Sequence, residues 1–183
     1  MIYIQFNKPY FVLSQFKEEE NKLTLKNFIH HPSKPTAAGR LDYDSEGLLL
    51  LTDDKNFLRY VTDPGQKLEK EYHVQIEGTP KKSDLIPIFE GLNTQNISYQ
   101  PAIAEMIPEP VYLWERNPPI RFRKNKPTSW LRIVIREGKN RQVRKMTAAI
   151  GFPTLRLIRY RIGRLVLQNL SPGEWREFGR SEL

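Results

Sequence analysis

AGRLDYDSEGLLLLTDD, running from Ala38 to Asp54, is the stretch whose reading decides the fold. Its first half sets Arg40, Asp42, Asp44 and Glu46 close together, and its second half runs through Leu48, Leu49, Leu50 and Leu51. A short apolar run bounded by Gly47 and by Thr52-Asp53-Asp54 fits a strand buried on both faces or a short buried helix segment. In either case a charged loop feeds directly into the core. Charges at such a place lose solvation, so each needs a partner, a shifted pKa or a chemical task. The plainest reading is an acidic turn that caps itself and pairs with neighbouring basic groups.

Working outward, the N-terminal residues alternate Ile2, Ile4, Phe6 with Tyr3, Gln5, Asn7, the period of a half-buried strand that Lys8-Pro9 stops. Val12 to Phe16 reads as a second extended piece. Thr24 caps a short helix reaching His30, with Leu25, Phe28 and Ile29 at helical spacing. On the other side of the leucines, Asp53-Asp54 cap a helix carrying Phe57, Leu58 and Val61, ended by Pro64-Gly65. Glu71 to Gly78 alternates Tyr72, Val74, Ile76 with His73, Gln75, Glu77, a half-buried strand.

Further along, a helix over Leu85 to Leu92 is shortened by Pro87, and Ile97 to Met106 reads as a strand. Pro108 to Thr128 holds five prolines, Trp114 and five basic residues, which describes a long surface loop. Trp130 to Arg136 is again a strand. Asn140 caps a helix reaching Ile150, on which Arg141, Arg144 and Lys145 share one surface. Thr154 to Arg161 and Arg164 to Leu167 are strands, and Trp175 lies in a last extended piece. The whole reads as an α+β protein with a mixed, largely antiparallel sheet and short flanking helices.

Composition narrows the function. The 183 residues, 39% hydrophobic and 27% charged, suit a soluble globular chain of one domain over residues 1–183, with room for two lobes. No apolar stretch is long enough to span a bilayer and no signal peptide is visible, so a cytoplasmic location without membrane contact is expected. With no cysteine, and only His30, His31 and His73 as imidazoles, no metal signature is present and no metal or cofactor is expected. Lys and Arg number 29 against 21 acidic residues, and the resulting charge of +8 favours a polyanionic partner through counterion release.

Two loops hold the chemistry: the acidic turn at Asp42 and the basic stretch EGKNRQVRKM, Glu137 to Met146. Brought together, they would let a carboxylate pair with Arg144 and stay ionised as nucleophile or base. A structural ion pair is the alternative. Asp42 and Asp44 as the acid and base of a glycosidase is a weaker one, because residues two apart on an extended chain point to opposite sides.

GRLDYDSEGLLLLTDD resembles the catalytic motif of the pseudouridine synthases of ribosomal RNA. NKPYFVLSQF, KEYHVQIEG, REGKNRQVRKM and LRLIRYRIGRL resemble further segments of that family, in the family's order and across nearly the whole chain. The insertion ERNPPIRFRK followed by PTSWL resembles a member acting on the large subunit. The resemblance implies the pseudouridine synthase catalytic fold and cofactor-free isomerisation of a uridine in large-subunit ribosomal RNA. It implies Asp42 as nucleophile, Arg144 as its paired cation, Tyr72 stacking on a flipped uracil, Leu157 as the apolar floor, and Arg40 filling the gap left in the RNA.

Two departures stand out. Many relatives have glycine where this chain has Phe11, and many carry a small RNA-binding domain ahead of the first motif, which is expected to be absent here. RNA contact would then rest on Arg141, Lys145 and the Pro-rich loop with Arg116, Arg121, Arg123, Lys124 and Lys126. The chain is expected to act as a monomer. A non-catalytic RNA-binding or ribosome-assembly factor on the same fold is the competing function.

Overall fold

The structure is a computed structural model that describes residues 1–94, 97–120, 126–167 and 169–182. The chain divides into two units, Met1–Leu68 with Arg159–Leu183, and Glu69–Ile158. In chain order the first unit opens with strands β1 (Tyr3–Lys8), β2 (Val12–Leu13), β3 (Leu23–Thr24), β4 (Thr36–Ala37) and β5 (Glu46–Thr52), then helix α1 (Lys55–Thr62). The second unit holds β6 (Lys70–Glu77), α2 (Ile86–Glu90), β7 (Ile103–Ile107), β8 (Thr128–Ile135) and α3 (Gln142–Ala149). Strand β9 (Thr154–Ile162) supplies residues to both, and β10 (Leu165–Val166) and β11 (Trp175–Glu177) return to the first unit. The mixed α+β architecture expected from the sequence is the one observed.

In the first unit β1 lies between β11 and β5, antiparallel to both, and β4 pairs with β5. The leucine run is a strand: all seven residues of β5 are buried, including Glu46. Leu49 and Leu51 face a cluster with Ile2, Ile4, Phe6, Leu25 and Ile29. Leu48 and Leu50 stand opposite Asn7 and Gln5 of β1. Those two polar residues are fully buried, so β1 is covered on both faces rather than half-buried. Each amide is partnered at one end only: Gln5 Oε1 accepts from Arg176 Nε at 3.0 Å and Asn7 Nδ2 donates to the Leu170 carbonyl at 2.8 Å, while Gln5 Nε2 and Asn7 Oδ1 have no hydrogen-bond partner among the described residues.

Asp54 caps α1, its Oδ1 accepting from the backbone N–H groups of Asn56 (2.9 Å) and Phe57 (3.2 Å). The helix expected after Thr24 is only a 3-10 turn, Leu25–Asn27, closed by a capping box between Thr24 and Asn27. The turn ends at Phe28, which leaves helical geometry at φ −122° while its N–H donates to the Leu25 carbonyl at 3.1 Å.

In the second unit β8 pairs antiparallel with β6 on one side and β7 on the other. The strand expected at Ile97 begins only at Ile103. Helix α3 starts one residue later than expected, and Asn140 is not its cap. Arg141 takes that place in the left-handed region, φ 51°, and the turn is closed by Gln142 Oε1 accepting from the Lys139 N–H at 3.1 Å. Among the described residues no helix is long and apolar enough to cross a membrane.

Candidate active site

In the first unit the opening motif forms a fixed corner. Ser14 Oγ donates to the Leu41 carbonyl at 2.8 Å and accepts from the Leu41 N–H at 3.1 Å, so the residue before Asp42 is clamped from both sides. The Ser45 N–H then donates to the Asp42 carbonyl at 3.0 Å. Asp42 therefore stands at the first position of a tight turn, where aspartate is favoured, with Tyr43 and Asp44 at its tip. From Ser45 to Thr52 the chain is buried. Asp42 and Asp44 are half-buried, whereas Arg40 is exposed just ahead of them.

Beneath the corner lies a buried charge group. Lys8 is fully buried at the end of β1, and its Nζ donates to the carbonyls of Pro9 and Val12, both at 2.8 Å. Burial lowers its pKa from 10.5 to about 7, against the opposing pull of Glu46 and Asp44. Arg159 of β9 is buried as well, its Nε donating to the Leu48 carbonyl at 2.8 Å and its Nη1 to the Arg40 carbonyl at 3.3 Å. Glu46, read from sequence as shaping the turn, is instead the first residue of β5 and fully within the core.

The lysine has a consequence for stability. Its folded pKa lies below its unfolded value, so the unfolded chain binds more protons between about pH 7 and 10.5. The contribution is present above that window and lost as pH falls through it. Stability should rise with pH just above 7, by up to about 1.4 kcal/mol per pH unit from this one proton. Denaturant titrations from pH 7 to 9 on the wild type and Lys8→Met check this. The slope flattens in the variant, and an equal slope in both would remove Lys8 as its source.

The second unit carries the other expected site residues. Tyr72 is buried on β6, opposite Ile133 of β8, and Leu157 is buried on β9. Arg144 is half-buried on α3, Lys145 is exposed beside it, and Arg141 is exposed at the helix start. On the face of β6 away from Tyr72, Glu71 and His73 are buried in a polar network. Arg132 forks onto Glu71, Nε to Oε1 at 3.0 Å and Nη2 to Oε2 at 3.1 Å. His73 Nε2 faces Glu71 at 3.3 Å, and His73 Nδ1 meets the Tyr112 hydroxyl at 2.6 Å. Burial lowers the pKa of His73.

Tyr112 belongs to the Pro-rich loop, which is less free than its composition implies. Arg156 Nη1 donates to the Trp114 carbonyl at 2.9 Å, and its guanidinium lies 5.4 Å from the Trp114 ring centroid. Arg116 donates to the carbonyls of Pro118 and Leu155, and Lys126 pairs with Glu77 at 2.7 Å. These two expected RNA contacts are thus engaged within the protein. Arg121, Arg123 and Lys124 lie outside the described residues.

Comparison with known proteins decides the family. The family described as RNA pseudouridylate synthase matches residues 2–149. The chain belongs to the RNA pseudouridylate synthase family. Ribosomal large subunit pseudouridine synthase E of Vibrio vulnificus is 54% identical over 175 residues, covering 95% of this chain and 74% of the relative. The protein of the same name from Xanthomonas campestris pv. campestris is 48% identical, covering 94% and 93%. A solved pseudouridylate synthase superposes with a TM-score of 0.80 at 29% identity, covering 99% of this chain and 71% of that one.

This pseudouridine synthase is therefore an isomerase acting on RNA, and the non-catalytic and glycosidase alternatives fall away. What sequence reasoning missed in it are the residues under the turn: Lys8, Glu46 and Arg159. Lys8 was visible only as the polar stop of a strand, and Arg159 only as one basic residue in an alternating run. Nothing local marks a charged side chain as buried, because its burial depends on strands distant in sequence.

Proposed function

We propose that the protein converts a specific uridine of large-subunit ribosomal RNA to pseudouridine, with Asp42 as the nucleophile. The names of its relatives support the substrate. The observation that carries the role of Asp42 is the corner it occupies, clamped by Ser14 and rooted in the buried strand β5. A nucleophile needs that restraint to hold its attack geometry.

In this reading the target uridine leaves its stack, and Arg40, exposed beside the turn, fills the space it vacates. Asp42 attacks either C6 of the uracil or C1′ of the ribose. The bond from C1′ to N1 breaks, the base turns, C1′ bonds to C5, and the bond to Asp42 is broken so that its carboxylate is released. The proton on C5 is lost and N1 gains one, so the product is an isomer and no oxidant or energy source is consumed. Arg144 serves as counter-cation to the carboxylate, Tyr72 stacks on the uracil and Leu157 floors it. Arg141 and Lys145, exposed at the start of α3, contact the phosphates.

The test is incubation of purified protein with fragments of large-subunit ribosomal RNA, followed by nuclease digestion and chromatography of the nucleosides. Pseudouridine at one position is the expected product. No pseudouridine on any fragment, or release of free uracil, would overturn the reading.

A further inference from the structure

Phe11 breaks two rules at once. Its backbone lies in the left-handed region at φ 57°, which disfavours every residue with a bulky side chain, and its ring is 40% exposed. Neither conformational preference nor burial accounts for a phenylalanine there. The ring is nevertheless held in place. The Phe11 N–H donates to the Tyr43 carbonyl at 2.9 Å, and the Phe11 and Tyr43 rings stack with centroids 4.9 Å apart and planes 13° from parallel. Tyr10 lies against Phe11 at 4.1 Å, and Lys22 Nζ stands 5.6 Å from the Tyr43 ring centroid. Tyr43 is the residue that follows Asp42. Strain of this kind persists where function uses it.

We propose that Tyr10, Phe11 and Tyr43 form a stacking surface for an unpaired base of the RNA next to the isomerised uridine. The proposal rests on the function proposed above. A nucleobase is the occupant that fits: flat aromatic rings accept any base face, Lys22, paired with Glu19, stands over the Tyr43 ring, and the chain carries +8 overall. A base stacked here would brace the strand from which the neighbouring uridine is withdrawn.

Phe11→Gly separates binding from packing, since glycine adopts this backbone without steric strain. The variant should melt close to the wild-type temperature yet bind a modifiable ribosomal RNA fragment about tenfold more weakly, with KM raised and kcat kept. Phe11→Tyr, which keeps the ring, should restore binding. The deciding measurement replaces each nucleotide beside the target uridine by an abasic one. At one position the wild type should lose affinity and Phe11→Gly should lose almost none. Equal losses in both proteins at every position, or an unchanged Kd in Phe11→Gly, would overturn the stacking surface, leaving Phe11 to packing or to a protein partner. If no fragment is modified, the isomerase reading fails separately. Binding of a mixed-sequence single-stranded 12-mer by wild type and Phe11→Gly then decides the stacking surface on its own.

Discussion

Asp42→Asn is expected to lower pseudouridine formation by about 10⁴-fold or more, the scale on which loss of a nucleophile acts, with folding and RNA binding retained. The reason lies in how the turn is held. Its closing hydrogen bond runs from the Ser45 N–H to the Asp42 backbone carbonyl, and the clamp from Ser14 acts on the backbone of Leu41. Neither uses the Asp42 side chain, and asparagine is accepted at the first position of such a turn. The substitution thus removes the nucleophilic oxygen and leaves the corner standing. Quantifying pseudouridine in digests of a ribosomal RNA fragment, beside gel-shift affinity and thermal melting, checks all three parts. Activity above about a hundredth of wild type would end the role of Asp42 as nucleophile, because no other group could replace its covalent step so well.

Arg159→Leu should cost both stability and rate. The side chain is buried and donates to the carbonyls of Leu48 in β5 and Arg40 in the loop before Asp42. Leucine leaves those carbonyls without their donor, a loss of about 2–4 kcal/mol for hydrogen bonds from a charged group. It also frees the entry to the turn, and a small displacement of a catalytic group can cost about 10²-fold in rate. The expected result is a melting temperature lowered by several degrees and kcat reduced by about 10- to 100-fold, with KM little changed. Arg159→Lys, which keeps a donor but not the fork, should recover part of each. A variant that melts lower but keeps full kcat on the surviving folded fraction would show that Arg159 stabilises the unit without positioning the turn.

Much of this protein was legible locally. The four leucines bounded by glycine and threonine specify a buried segment, strand or short helix, which the structure shows as a strand, and Asp54 specifies a cap, because hydrophobic runs and side-chain capping act over a few residues. Boundaries failed where a local signal had competition. Asn140 is a good cap by type, yet Gln142 closes the turn first and Arg141 takes the left-handed corner. The Pro-rich loop reads as a free surface, yet Tyr112, Trp114 and Arg116 tie it down through groups on β6 and β9.

The motif from Gly39 to Asp54 holds the proposed nucleophile, Asp42, and the strand that roots it within one continuous segment, so both are legible in the sequence. Only the tertiary structure decided what lies beneath that segment. Lys8 and Arg159 are separated from the turn by long stretches of chain, and their burial follows from how β1, β5 and β9 assemble. The same holds for the platform beside Asp42. Phe11 and Tyr43 are ordinary aromatic residues in sequence, and they become a stacked pair, Phe11 exposed and Tyr43 half-buried, because a backbone hydrogen bond joins two loops and one of them accepts a strained conformation.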